Sequence, residues 1–145
     1  MSLSFPSTNA LENIASVEGI ADGYLAIAEA LHSSLRLMSD QVNVSTEKAY
    51  GLITEEYGLR TRLGILRADA KNRTVDGVDV THASLVSLLA QTSEVIRNSR
   101  SLDELAYIVN SATVLCIAFS PGKKKTVNFL ISQLVSDLEM MRKIN

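Results

Sequence analysis

The sequence contains one cysteine, two prolines, no tryptophan and few aromatic residues of any kind. Each shortage excludes something. A lone Cys116 rules out an intramolecular disulfide and fits a reducing compartment, so a cytoplasmic protein is expected. Two prolines leave room for long, unbroken helices. An aromatic content of 5% is a poor supply for platforms that stack single-stranded bases. The net charge of −2 is too small to steer the whole molecule towards nucleic acid or an anionic membrane. The first residues, Met1 to Pro6, lack the basic start and apolar run of a secretory signal. The most apolar stretch, Ala106 to Phe119, is interrupted by Asn110 and is too short to span a bilayer.

What remains is an ordinary globular composition, 46% hydrophobic and 21% charged, in a chain of 145 residues. One domain with its own core is the natural expectation. The apolar residues recur at helical spacing almost throughout. Ala10, Ile14, Val17, Ala21, Tyr24, Ala28, Leu31, Leu35 and Met38 alternate steps of four and three. That is a heptad seam, and it predicts a first helix from Thr8 or Asn9 to Ser39. Asp40-Gln41-Val42-Asn43 breaks the pattern, and Ser45 or Thr46 caps a second helix reaching Lys71. Its seam is Ala49, Leu52, Glu56, Leu59, Leu63, Leu66 and Ala70, with acids early and bases late, as the helix dipole favours. Gly51 and Gly58 share a face of this helix and suggest close approach of another helix there.

The dipeptide Asp76-Gly77 marks a turn. A third helix follows from Thr81 to Ser99. Ser101-Leu102-Asp103-Glu104 reads as a capping box opening a fourth helix to Phe119. That helix is apolar on most sides, which marks it as the most buried element. Ser120-Pro121 reads as an N-cap followed by Pro at the first position of a fifth helix ending near Lys143. The fold expected is therefore all-α: a single-domain bundle of about five helices with a long N-terminal helical hairpin.

Chemistry is sparse. Glu29 and His32 stand at i, i+3 on the first helix, and Asp79 and His82 repeat the spacing. Bundle proteins that bind two metal ions use such pairs, so a metal site at Glu29 and His32 is one alternative. Two ordinary, partly exposed histidines are the competing reading. Glu56 falls on a seam, and Arg60 at i+4 is its natural partner. Gly122-Lys123-Lys124-Lys125-Thr126 resembles the end of a phosphate-binding loop but lacks its first glycine, and Lys124 stands where that loop needs Ser or Thr. Cys116 lies among Val114, Leu115, Ile117 and Ala118 and reads as an inert core thiol.

These readings favour a non-catalytic protein-interaction module, an accessory or structural subunit acting through heptad-patterned helix faces, with no cofactor and no metal. The seam residues Ile14, Val17, Leu31, Leu35 and Met38 are expected to form a homodimer interface, because a long first helix outruns the shorter helices that cover it. Lys123, Lys124 and Lys125 are expected to dock a further protein partner. A second alternative is an accessory subunit that binds nucleic acid through Arg60, Arg62, Arg67, Lys71, Arg73 and the lysine run.

Val109, Ala112, Leu115 and Cys116 are expected at the centre of the core. Leu115→Ala should then destabilise the protein by about 2–5 kcal/mol, measured by denaturant unfolding. A change within about 0.5 kcal/mol would place the fourth helix at the periphery.

Overall fold

The computed structural model describes residues 8–40 and 45–144. The first seven residues and the expected break over Gln41, Val42 and Asn43 lie outside them. Five helices make up the described structure: α1, Ile14–Ser39; α2, Thr46–Ala68; α3, His82–Arg97; α4, Leu102–Ile117; and α5, Lys124–Ile144. A 3₁₀ turn, Ala70–Asn72, follows α2. Of the described residues 79% are helical, as the periodicity requires.

The helix starts are set by short polar side chains. Asn13, Ser45, Thr81 and Ser101 each accept from the backbone N–H three residues on, which satisfies one of the donors a helix start leaves open. The expected box at Ser101 is present with one variation. Glu104 reaches back to the N–H of Arg100 at 3.3 Å and accepts from the Ser101 hydroxyl at 3.1 Å.

Two starts differ from expectation. α1 begins at Ile14, one turn later than the heptad implies. Asn9 instead bridges to Thr81, and Ala10 and Leu11 turn back into the chain. Ala10 N–H donates to the Val80 carbonyl, while the carbonyls of Thr8 and Leu11 accept from His82 and Val75. Ala10 and Leu11 are fully buried, so the apolar signal was real but belongs to a strap, not a helix. Pro121 is not the first residue of α5. Gly122 has φ of +80° and the Lys123 N–H donates to the Ser120 carbonyl, so Pro121-Gly122 are the centre of a turn. The helix starts at Lys124.

α1 and α2 form the expected antiparallel hairpin, paired through Asp22 with Arg67 and His32 with Glu56. α3 lies parallel to α1 on its other side: Gly19 faces the His82 ring, Gly23 faces Leu89, and the Ser34 hydroxyl donates to the Ile96 carbonyl. α4 packs against α2 and α5, and α5 closes on α3. The core runs through all five helices and includes the strap.

Burial bears out Val109, Ala112 and Leu115, which are fully covered, and Cys116 at 4% exposure. α4 is nevertheless less enclosed than its composition suggests, since Val114 and Ile117 are exposed. α1 takes the role of the enclosed helix, gripped between α2 and α3.

Close helix approach occurs, but at other glycines than expected. A Cβ on Gly23 would stand 2.8 Å from Leu89 Cδ1, whereas nothing lies within 4 Å of one on Gly51 or Gly58. Gly23→Ala should therefore destabilise by about 1–3 kcal/mol through overpacking. Gly51→Ala should stabilise by up to about 1 kcal/mol through helix propensity. Thermal unfolding of both variants checks the pair; equal signs would contradict the packing of α1 on α3.

Candidate functional site

A cleft opens where the last turns of α1 meet the first turns of α2. Its volume is about 250 Å³. Leu35, Ala49, Ile53 and Tyr57 give it apolar walls, and His32, Arg36 and Glu56 give it a polar rim. Its form follows from the heptads. Leu35 and Glu56 face one another across the hairpin because they are seam positions, while Ile53 and Tyr57 lie one step outside the seam and stay open to solvent.

Glu56 is buried, and its carboxylate is held from two sides. Oε2 accepts from Arg60 Nε at 2.9 Å, the expected i, i+4 pair. Oε1 lies 3.2 Å from His32 Nδ1 on the opposite helix. The acid thus sits at the edge of the core with its charge facing two donors, as a buried carboxylate requires. Arg36 has no carboxylate partner among the described residues.

A second cleft, about 610 Å³, runs along α4 between α2 and α5. Asp137 is buried at its edge without a cation among the described residues. Its Oδ1 accepts from the Tyr107 hydroxyl at 2.8 Å and from Gln133 Nε2 at 3.0 Å, and its Oδ2 from Ser111 Oγ at 2.7 Å. The hydrogen bond to Asp137 holds the Tyr107 hydroxyl above its ordinary pKa, because losing that proton would set two negative charges together. In the same cleft, burial raises the Glu55 carboxyl, and the Thr113 hydroxyl partly offsets the rise. Sequence reasoning passed over Asp137. Its signal was an acid between the seam residues Leu134 and Leu138, with Tyr107 and Ser111 one turn apart on the preceding helix.

The remaining candidates are dispersed. Glu29 is exposed, and its partner His32 turns to Glu56 instead. His82 Nδ1 lies 2.8 Å from Ser16 Oγ, which also accepts from the Leu11 N–H, so this imidazole anchors the strap to α1. Asp79 is exposed and receives no part in that contact. No cluster of three or more His, Cys, Asp or Glu suited to a metal ion occurs among the described residues. Of the basic residues, Arg60 pairs with Glu56, Arg67 with Asp22 and Arg73 with Asp69. Lys123, Lys124 and Lys125 are exposed at the start of α5, with the stem of Lys124 lying over Gly77.

The residues expected at a dimer interface call for a correction. Val17 and Leu31 are fully buried within the chain, and Leu35 and Met38 nearly so; only Ile14 is open, at 49%. α1 is shorter than the heptad implied, and α2 and α3 already cover its seam. Of that stripe only Ile14 remains substantially exposed.

No protein-family model, curated protein or solved structure matches this chain. No helix among the described residues is long and apolar enough to cross a membrane.

Cys116 is inert on chemical grounds. Burial pushes its thiol up to about 12, against the opposing pull of Arg62 and Arg73. Burial also raises Tyr24 well above its ordinary value of 10.0. Between the unfolded and folded values of these groups the folded state binds more protons than the unfolded one. The contribution of these two groups to stability is therefore full below about pH 8 and falls as pH rises towards 12. Denaturant titrations across pH 8–11 test this; stability that rises over that range would contradict the burial of both groups. A thiol reagent at pH 8 should label Cys116 only after unfolding.

Proposed function

We propose that this protein is a non-catalytic helical docking subunit, working in the cytoplasm, whose α1–α2 cleft receives an amphipathic helix from a partner protein. The observation that carries the reading is the cleft itself. It offers apolar walls at Leu35, Ala49, Ile53 and Tyr57 beside a charged rim. A partner helix reads such a groove with apolar side chains three and four positions apart. Arg36, exposed and without a carboxylate partner among the described residues, calls for an acidic residue on that helix. The exposed Leu37 next to Arg36 extends the apolar rim. Lys123, Lys124 and Lys125 give the subunit a second, electrostatic contact for an acidic segment.

The test is site-specific photocrosslinking from position 36 or 39 in cells that make the protein. One dominant crosslinked protein is expected. Its yield should fall at least about tenfold with Ile53→Asp, which puts an unpaired charge into the apolar wall and costs about 2 kcal/mol of affinity or more. Crosslinks that are absent, or that Ile53→Asp leaves unchanged, would reject the reading.

A further inference from the structure

α2 carries two heptad seams, not one. The inward seam, through Leu52, Glu56, Leu59, Leu63 and Leu66, is buried in the chain. On the opposite side Tyr50, Thr54, Tyr57, Thr61, Gly64 and Ala68 alternate steps of four and three. That spacing sets residues in a line along a helix. All six are exposed, with Tyr50 at 66% and Tyr57 at 70%. Nothing among the described residues covers this line. Gly51, Gly58 and Gly64 have no neighbouring atom among them within 4 Å of where a Cβ would stand. Three glycines weaken a helix interior, and no contact among the described residues explains them.

The outward seam alternates large and small side chains: Tyr50, Thr54, Tyr57, Thr61. An antiparallel copy of the same helix suits this alternation. With a twofold axis between Glu55 and Glu56, Tyr50 meets Thr61 of the other copy and Thr54 meets Tyr57. Every layer then sets a large side chain against a small one, the arrangement that interdigitates. Charge selects the same direction. The first half of α2 carries Glu47, Glu55 and one cation, Lys48; the second carries Arg60, Arg62 and Arg67 and no acid, with Arg60 and Arg67 already paired within the chain and Arg62 without a carboxylate partner among the described residues. Antiparallel pairing sets the acidic half against the basic half and opposes the helix dipoles; parallel pairing sets like against like.

We propose that a second copy of this chain docks on the outer face of α2, forming an antiparallel twofold dimer through Tyr50, Thr54, Tyr57 and Thr61. A single helix-to-helix contact is small as interfaces go, so the dimer forms in the micromolar range. The dimer does not rest on the docking reading: of its four residues only Tyr57 also borders the cleft, and Tyr50, Thr54 and Thr61 lie outside it.

The test uses the full chain. Sedimentation velocity from about 1 to 200 μM should show a monomer–dimer equilibrium. Thr61→Arg, which sets a long cation against Tyr50, should weaken it at least about tenfold while leaving the thermal unfolding curve unchanged. Direction is read by crosslinking. A short bis-maleimide should join Thr54→Cys, which lies near the axis, and should fail to join Ala68→Cys, which antiparallel pairing holds about 37 Å from its counterpart. Cys116 is buried and leaves little background. A monomer at 200 μM, a dimer insensitive to Thr61→Arg, or equal crosslinking at both positions would each overturn the proposal.

Discussion

The hydroxyl of Tyr24 lies at the centre of the core and donates to the Ala112 carbonyl at 2.8 Å, in the middle of α4. A buried hydroxyl with no partner would cost a large part of a small protein's net stability, so this bond fixes where α1 crosses α4. The same ring packs edge-on against Phe119, with centroids 6.1 Å apart. Phe119 is fully buried just beyond the end of α4. One side chain of the first helix therefore sets both the depth of α4 and the point at which the chain leaves it. The turn at Pro121-Gly122 follows directly, because the chain must reverse there to bring α5 back along α4.

That arrangement places a demand on the connection between α2 and α3. α1 and α3 run parallel, so after the hairpin the chain has to return along the bundle's end before α3 can start. It does so through the 3₁₀ turn and the segment to Thr81, and the strap from Thr8 to Leu11 lies against that return segment. Leu11 has φ of +64°, a conformation that costs a non-glycine residue about 1 kcal/mol or more. Its fully buried side chain and three local bonds offset that cost: its N–H to Ser16, its carbonyl from Val75, and Ser16 to His82. The two chain segments at this end hold one another in place, and neither is helical.

Helices and the hairpin were legible in the sequence because heptads, caps and breakers agree over long stretches. The errors lie where a local pattern is ambiguous between two tertiary uses. Ala10 continues the first seam in phase, yet no periodicity distinguishes a buried helical turn from a buried strap. Ser-Pro reads as a helix start unless Gly122, one residue on, is given weight as a residue that accepts positive φ. The glycines show the limit most clearly. Spacing marks Gly51 and Gly58 as sharing a face, but which glycines meet a neighbour depends on helix order in space. Gly19 and Gly23 do so because α3, not α2, lies over them. Of the cleft, the Glu56–Arg60 pair was legible from i, i+4 spacing; the His32 contact needed the register of the hairpin.

The two buried carboxylates are held in place by different physics. Glu56 faces two nitrogen donors, one of them the permanent cation Arg60, at a seam between α1 and α2. Asp137 has three neutral donors and no cation among the described residues, at a seam between α4 and α5. A charge pair in partial solvent tolerates small shifts of either helix, because Coulomb attraction falls slowly with distance. Three hydrogen bonds from side chains on two helices do not, since each weakens steeply with angle. Two of the three, from Tyr107 and Ser111, cross from α4 to α5, so Asp137 is the more demanding constraint on the register of those two helices. The hairpin of α1 and α2 is held by the looser device, at the end where its cleft opens. The docking role proposed for this groove suits a border of contacts that yield rather than contacts that lock.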